Sequence, residues 1–435
     1  MLKTYLPYAK NLLQIAGPII MGNLGFIMIG VGDVIVAGRH STDTLAAISI
    51  ATAIIHCILM LGIGILTTSS AILSNYRGEG KDIKKYFYPS IKFTIILSVI
   101  ASAIIFACLP LIDKIGYSAD LTRMVKDYFF ITGFAVFGGY LHCAMKEYLQ
   151  AFEIVVFPNL LTIFCVFLNL GLNILFVFGC GIIPEMGVIG LAISSLIVRY
   201  FMGIVLLIYC LKKIKVAYYR DHTYYKDLLK VGIPSSIAVM IEFTGFNIIS
   251  IIMGRVAGIY AAAHNLLCTF TSVSFMIPLA ISNATAVKVG FSNGAQDYSA
   301  LKKYAQTCIA MAIIVMGTSA TIIGLFPQFL IGLFTKDIEL INVCIPILYV
   351  LCFFQIFDGL QVSFSGIFKG LKNTKIVMLS NIIAYWIVSF PLGCILAFKF
   401  NMNLQGFWYS LFISSVIVCS LMSISLIKKF KKLTI

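Results

Sequence analysis

Twelve apolar runs alternate with polar connections along the 435 residues. They cover 11–36, 45–73, 89–112, 125–147, 155–179, 187–211, 229–256, 261–287, 303–334, 340–368, 374–399 and 404–427. Each reaches the roughly 20 residues that a helix needs to cross a hydrocarbon core, and the longest imply tilt or protrusion beyond the lipid. The pattern predicts an all-α polytopic membrane protein with twelve transmembrane helices.

The longest polar connection, Lys212–Lys230, falls between the sixth and seventh runs and divides the chain into halves that resemble each other. Pro18 in AGPI and Pro234 in GIPS stand 216 residues apart, and so do Gly38-Arg39 and Gly254-Arg255, Ala46-Ala47 and Ala262-Ala263, and Gly190 and Gly406. Matches that keep one offset, in order and at helix ends, indicate a six-plus-six duplication. Because six is even, both halves have the same orientation, as in parallel-repeat transporters. The expected organisation is an N-lobe over 1–211, a cytoplasmic linker over 212–228 and a C-lobe over 229–435. These would form two pseudo-symmetric six-helix lobes around a central cavity.

Composition agrees with this pattern and narrows the chemistry. Of the residues, 60% are hydrophobic and 11% charged, with a mean hydropathy of +1.00. The net charge of +15 does not point to nucleic acid, because the basic residues lie between the apolar runs and form no single patch. The apolar stretch at the start is too short for a cleavable signal, so the first run itself is expected to direct insertion. With the N-terminus inside, one side carries 23 Lys and Arg, when residues at or next to a run end, such as Lys146, are counted with the adjoining connection. The other side carries seven: Arg39, Lys114, Arg123, Lys126, Arg255, Lys336 and Lys399. Lys92 and Arg199 fall within runs. The positive-inside rule therefore places both termini in the cytoplasm of a cell (inner) membrane protein. The twelve cysteines include no C-x-x-C and read as small buried hydrophobes. His40, His56, His142, His222 and His264 show no metal-ligand spacing. His56, His142 and His264 read as packed polar residues.

Three acidic residues, Asp33, Glu242 and Asp358, lie well inside the runs. By helix rise, Asp33 sits roughly 8 Å below the outer end of its run and Glu242 roughly 18 Å. Asp358 lies roughly 15 Å from the inner end of the tenth run, at a depth comparable to that of Glu242. An ionisable group in a bilayer is costly to keep and marks a functional site by default. Two close carboxylates in low dielectric cannot both stay ionised without a cation, so one keeps a proton or a metal ion sits between them. Asn169 and Asn173 share one helix face and could join Asp33 in the first lobe; interhelical hydrogen bonding accounts for these amides equally well. Arg199 is a further charge within a run, either paired with a lobe acid or lining a cavity. Pro18 and Pro234 allow kinks that could act as hinges or could be static bends. The duplication is not symmetric in chemistry, since Phe26 stands at the position equivalent to Glu242.

The chain resembles the multidrug and toxic compound extrusion (MATE) transporters, in their NorM-like branch. The resemblance is carried by IGVGDVIVAGRHSTDTLAAISIA (Ile29–Ala51), FLNLGLNILFVFG (Phe167–Gly179) and IEF (Ile241–Phe243). It continues in AAAHN (Ala261–Asn265), FMIPLAISNATAVKVG (Phe275–Gly290) and DGLQVSFSGIFKGLKNTK (Asp358–Lys375). It implies that Glu242 and Asp358 bind the coupling cation, Na+ or H+, and that Asp33, Asn169 and Asn173 form an N-lobe substrate or proton site. One departure weakens the sodium assignment: where some members carry a tyrosine one turn before the segment-ten aspartate, this chain has Phe354. The implied activity is cation-coupled antiport of amphipathic, mostly cationic organic compounds, with no cofactor, by a monomer among membrane lipids.

Two other readings compete. A lipid-linked oligosaccharide or lipid flippase of the same broader fold would line its cavity with Lys and Arg to hold phosphates, and only Lys92 and Arg199 lie in runs away from their end residues. Gly30-Val31-Gly32-Asp33 matches the G-x-G-D of intramembrane aspartyl proteases, but their Tyr-Asp partner motif is missing.

Overall fold

The computed structural model describes residues 2–432 apart from Ile182, Lys215 and 217–221. Twelve helices among the described residues are long and apolar enough to cross a membrane. They are α1 (Thr4–His40), α2 (Thr42–Gly78), α3 (Ile83–Ile112), α4 (Ala119–Ala151), α5 (Val156–Phe178), α6 (Val188–Lys213), α7 (Thr223–Val256), α8 (Gly258–Gly294), α9 (Tyr298–Leu325), α10 (Ile338–Gly370), α11 (Lys375–Lys399) and α12 (Asn403–Lys432). Each coincides with one predicted run. The only β pairing among the described residues is an isolated bridge between Cys180 and Ile183. All twelve cysteines are free thiols.

Polar residues at the predicted run ends set the helix starts. Ser41 caps α2 by accepting from the Thr44 amide, Asp297 caps α9 through the Ala300 amide, and Asp337 caps α10 through the Glu339 amide. Each satisfies a donor that the helix itself leaves orphaned.

Three helices are less regular than their runs suggested. α2 is interrupted at Thr67 and Thr68, whose hydroxyls donate back to the Gly64 and Ile65 carbonyls. The run expected over 303–334 ends at Leu325, and a short separate helix, Pro327–Gly332, follows. Pro327 drives its predecessor Phe326 out of helical geometry. In α11, residues Ile382–Ser389 and Ile395–Lys399 are wound as π-helix.

The chain forms two compact units. One comprises Pro18–Ser236; the other comprises Met1–Gly17 with Ile237–Ile435. The cut at Gly17/Pro18 falls on the proline of the repeat, and the cut at Ser236/Ile237 lies just past its equivalent, Pro234. The start of α7 thus counts with the first unit. There the Tyr224 hydroxyl pairs with Ser69 and Ser90 at 2.9 and 2.8 Å, and the Tyr76 hydroxyl donates to Asp227 at 3.0 Å. The linker expected over 212–228 is therefore helical at both ends, and its residues 217–221 lie outside the described ones.

Within the first unit α4 packs against α2, α3 and α6; within the second, α10 packs against α8, α9 and α12. These two central helices occupy equivalent places in the repeat. The Gly190/Gly406 pair repeats a close approach as well. A Cβ on Gly190 would stand 2.6 Å from the Phe176 carbonyl oxygen, and one on Gly406 would stand 2.7 Å from the Ala397 amide nitrogen. In each half a bare glycine lets one helix rest on the backbone of the helix before it. Large side chains such as Val99, Phe167 and Ile314 stay exposed on the outside. A lipid-facing surface explains this, since lipid tails are as apolar as a protein core.

Candidate functional site

Each unit holds a polar cluster built on the acids that the sequence singles out. In the first unit, α1 supplies Asp33, α5 supplies Asn169 and Asn173, and α6 supplies Ser195. The four-residue spacing of the two asparagines puts both amides on one face. The Asn173 Nδ2 donates to Asp33 Oδ1 at 2.6 Å and to Asn169 Oδ1 at 3.1 Å. Ser195 Oγ donates to Asp33 Oδ2 at 3.4 Å. Both asparagines are buried. Sequence reasoning places Asp33, Asn169 and Asn173 as one candidate group and misses Ser195, because a serine within an apolar run carries no spacing signal.

Arg199 lies one turn beyond Ser195 on α6. Its charge acts on Asp33, on His56 of α2 and on Tyr128 of α4. It is not part of any ion pair among the described residues. A cavity of about 440 Å³ opens beside this cluster between α1 and α5. Met28, Gly32, Ile35, Leu170 and Ile174 line it, and Arg39 stands on its wall.

In the second unit, α7 supplies Glu242 and α10 supplies Asp358, within electrostatic reach of each other. Asp358 is buried and Glu242 half-buried. The Gln361 Nε2 donates to Glu242 Oε2 at 3.1 Å, and the Tyr385 hydroxyl of α11 donates to Gln361 Oε1 at 3.1 Å. Phe354, one turn before Asp358, is fully buried and meets Phe246 and Trp408 edge-on at 6.1 and 5.8 Å between centroids. It offers no oxygen to the pair. His264 of α8 points Nε2 at the Phe246 carbonyl at 3.0 Å. Sequence reasoning names the two carboxylates and misses Gln361 and Tyr385. Gln361 was within reach, three residues from Asp358 on the same helix face. Tyr385 had no local signal.

One acidic residue expected only at the edge of a run is in fact buried. The sequence assigns Lys146 to a connection and counts three acids well inside the runs, but α4 continues to Ala151. Glu147 is buried there and accepts from Ser70 Oγ at 2.5 Å, while Gln150 Nε2 donates to that same Ser70 oxygen at 3.3 Å. Helix ends are the least legible part of an apolar pattern. No group of three or more His, Cys, Asp or Glu among the described residues could hold a metal ion.

The MatE family model matches the chain twice, over residues 18–175 and 234–395. The chain belongs to the MatE family. The two MatE matches begin on Pro18 and Pro234, the first pair of the repeat. The MatE chain is 28% identical over 418 residues to a probable multidrug resistance protein NorM of Photorhabdus laumondii, covering 92% of this chain and 91% of that protein. It is 26% identical over 416 residues to a probable multidrug resistance protein NorM of Rhizobium meliloti, covering 91% and 88%. Its fold matches the crystal structure of the eukaryotic MATE transporter AtDTX14 with a TM-score of 0.88, at 19% identity and over 99% and 98% of the two chains. As a MatE protein the chain is a transporter and not an enzyme, so Gly30–Asp33 is not a protease motif. Asp33 and Asp358 also belong to different compact units.

Proposed function

We propose that this MatE protein is a cation-coupled antiporter that exports amphipathic, mostly cationic organic compounds by alternating access. The observation that carries the reading is the pair Glu242 and Asp358. Two carboxylates share one unit with no Lys or Arg charge acting on either among the described residues. Such a pair must take up a cation, and the cation then changes the charge that the packed helices enclose. The relatives' multidrug resistance names support export as the direction and organic compounds as the load.

The protein lowers no chemical barrier. It exchanges differential binding of cation and substrate between two conformations. The donor set favours a proton over sodium. A sodium ion takes several oxygens, whereas Phe354 supplies none and the Gln361 oxygen is held by Tyr385. The Asp33, Asn169 and Asn173 group is the corresponding substrate or proton site of the first unit. The distribution of Lys and Arg supports cytoplasmic termini in the cell (inner) membrane, and the transporting unit is taken to be a monomer.

Ethidium efflux from proteoliposomes tests this under an imposed proton or sodium gradient. Wild type should pump under a proton gradient, and Glu242→Gln and Asp358→Asn should lose most of that activity. Pumping by both variants at the wild-type rate would refute the coupling site. A sodium gradient that drives efflux where a proton gradient does not would reverse the ion assignment. Transport of a fluorescent phospholipid with no export of any organic cation would favour the flippase.

A further inference from the structure

Gln361 joins the proposed coupling site to α11, and its amide has two chemically different ends. One end only accepts and the other only donates. The Tyr385 hydroxyl donates to the Gln361 oxygen, so the NH2 end is the one turned to Glu242 Oε2, each contact at 3.1 Å. Gln361 and Tyr385 are both buried, 4% and 3% exposed, where an unmatched polar end is costly. A carboxyl oxygen that faces an N–H donor accepts, and it accepts best without a proton of its own, so the proton is directed to the other oxygen.

We propose that Gln361 is a positioning residue for cation coupling. Its amide holds Oε2 of Glu242 as an acceptor and leaves Oε1 as the oxygen that takes the cation, with Tyr385 locking the amide in that sense. This rests on the coupling reading of Glu242 and Asp358. For a proton on Oε2 to be donated to Gln361 the amide would have to turn over, and Tyr385 would have to accept where it now donates. The lock sits on the π-helical stretch Ile382–Ser389, a type of distortion often found at functional sites. A second contact holds the same two helices together, because Asn381 Nδ2 donates to the Ala238 carbonyl at 3.2 Å. Ala238 and Asn381 lie four residues before Glu242 and Tyr385 respectively, so α11 is tied to α7 at two successive levels.

The titratable groups that act on Glu242 are Asp358 of α10 and Tyr385 of α11; Cys419 of α12 acts on Asp358, and His264 and Cys268 of α8 lie near Phe246. Cys419 donates to the Phe357 carbonyl at 3.1 Å, and Cys268 stands 3.5 Å from His264 Nε2. None of them is a permanent cation, so the amide N–H is the one donor that reaches Glu242 among the described contacts.

The chain's two tryptophans supply a readout independent of transport. Trp408 lies edge-on to Phe246 and Phe354, whereas Trp386 is 40% exposed. With Trp386→Phe as the parent, the fluorescence of Trp408 is titrated with pH in detergent. The parent should show a transition that Glu242→Gln abolishes. Gln361→Leu should move its midpoint about one pH unit higher, roughly tenfold in proton affinity, because the ionised oxygen loses its donor. Tyr385→Phe removes a single oxygen and should move the midpoint in the same direction by less. Midpoints identical to the parent in both variants would overturn the positioning role while leaving the coupling site standing. A transition that survives Glu242→Gln, or a parent with none, would overturn the coupling reading beneath it.

Discussion

Asn173 donates to Oδ1 of Asp33 at 2.6 Å, the shortest side-chain contact of the first unit's cluster and one that joins α1 to α5. The same amide group donates to Asn169, whose own side chain acts on Asp33 more weakly than Asn173 does. The two asparagines are therefore not equivalent, although they share a helix face and are both buried.

Asn173→Leu should cost more than Asn169→Leu. A hydrogen bond to an ionised group contributes about 1.5–3 kcal/mol, so losing the Asn173 donor should lower ethidium efflux about tenfold or more. Asn169→Leu removes the acceptor of Asn173 and a weaker contact with Asp33, and should lower it a few-fold. Efflux rates in proteoliposomes, normalised to protein incorporated, check the order. Equal losses would mean that the network does not act through Asp33.

Phe354→Tyr restores an oxygen one helical turn before Asp358. If the missing oxygen is what disfavours sodium, the variant should acquire sodium-stimulated efflux that wild type lacks. The comparison is efflux with NaCl against KCl at constant pH. Efflux by Phe354→Tyr that sodium leaves unchanged would show that the donor set is not limited at this position.

Gly406→Val and Gly190→Val place carbon against backbone at under 3 Å, where no flexible side chain can move aside. Overpacking of this kind costs about 1–3 kcal/mol, and the rigid backbone puts these sites at the upper end. Gly17→Ala is the matched control, since nothing lies within 4 Å of the added Cβ. It should be neutral or stabilise by about 0.5–1 kcal/mol through helix propensity. Thermal unfolding in detergent should rank Gly17→Ala at or above wild type and both valine variants below it.

Ser70→Ala removes one donor from the buried Glu147 carboxylate and the acceptor used by Gln150. Leaving such groups short of a partner costs about 1–3 kcal/mol. The Tm should fall, and efflux by the folded fraction should stay near wild type, because this cluster holds the end of α4 and is no part of the coupling site. A normal Tm with impaired efflux would instead give Glu147 a transport role.

Much of the fold was legible in the residues for one physical reason. Lipid imposes a length and a hydropathy on every crossing helix, so the twelve runs map onto twelve helices with only their ends displaced. The repeat was legible because turns and close contacts constrain residue type: Gly190 and Gly406 recur since no side chain fits there. The π-helical winding of α11 left no trace, because it changes the register of hydrogen bonds without changing composition. The place of Lys146 was misread for a related reason, since a helix end accepts charged residues equally well in water and under a cap of packed side chains.

The sequence by itself determined that three carboxylates stay in apolar helices, which of them share a half of the chain, and that Phe354 withholds an oxygen. These are statements about cost and composition, and both can be counted along a chain. Only the tertiary structure decided that Asn173 makes the short contact to Asp33 and Asn169 the weaker one, that Gln361 stands between Glu242 and Tyr385, and that Arg199 forms no ion pair among the described residues. Those depend on which helix faces meet and at what rotation. Lipid-facing and core-facing sides are almost equally apolar here, so periodicity carries little record of that choice.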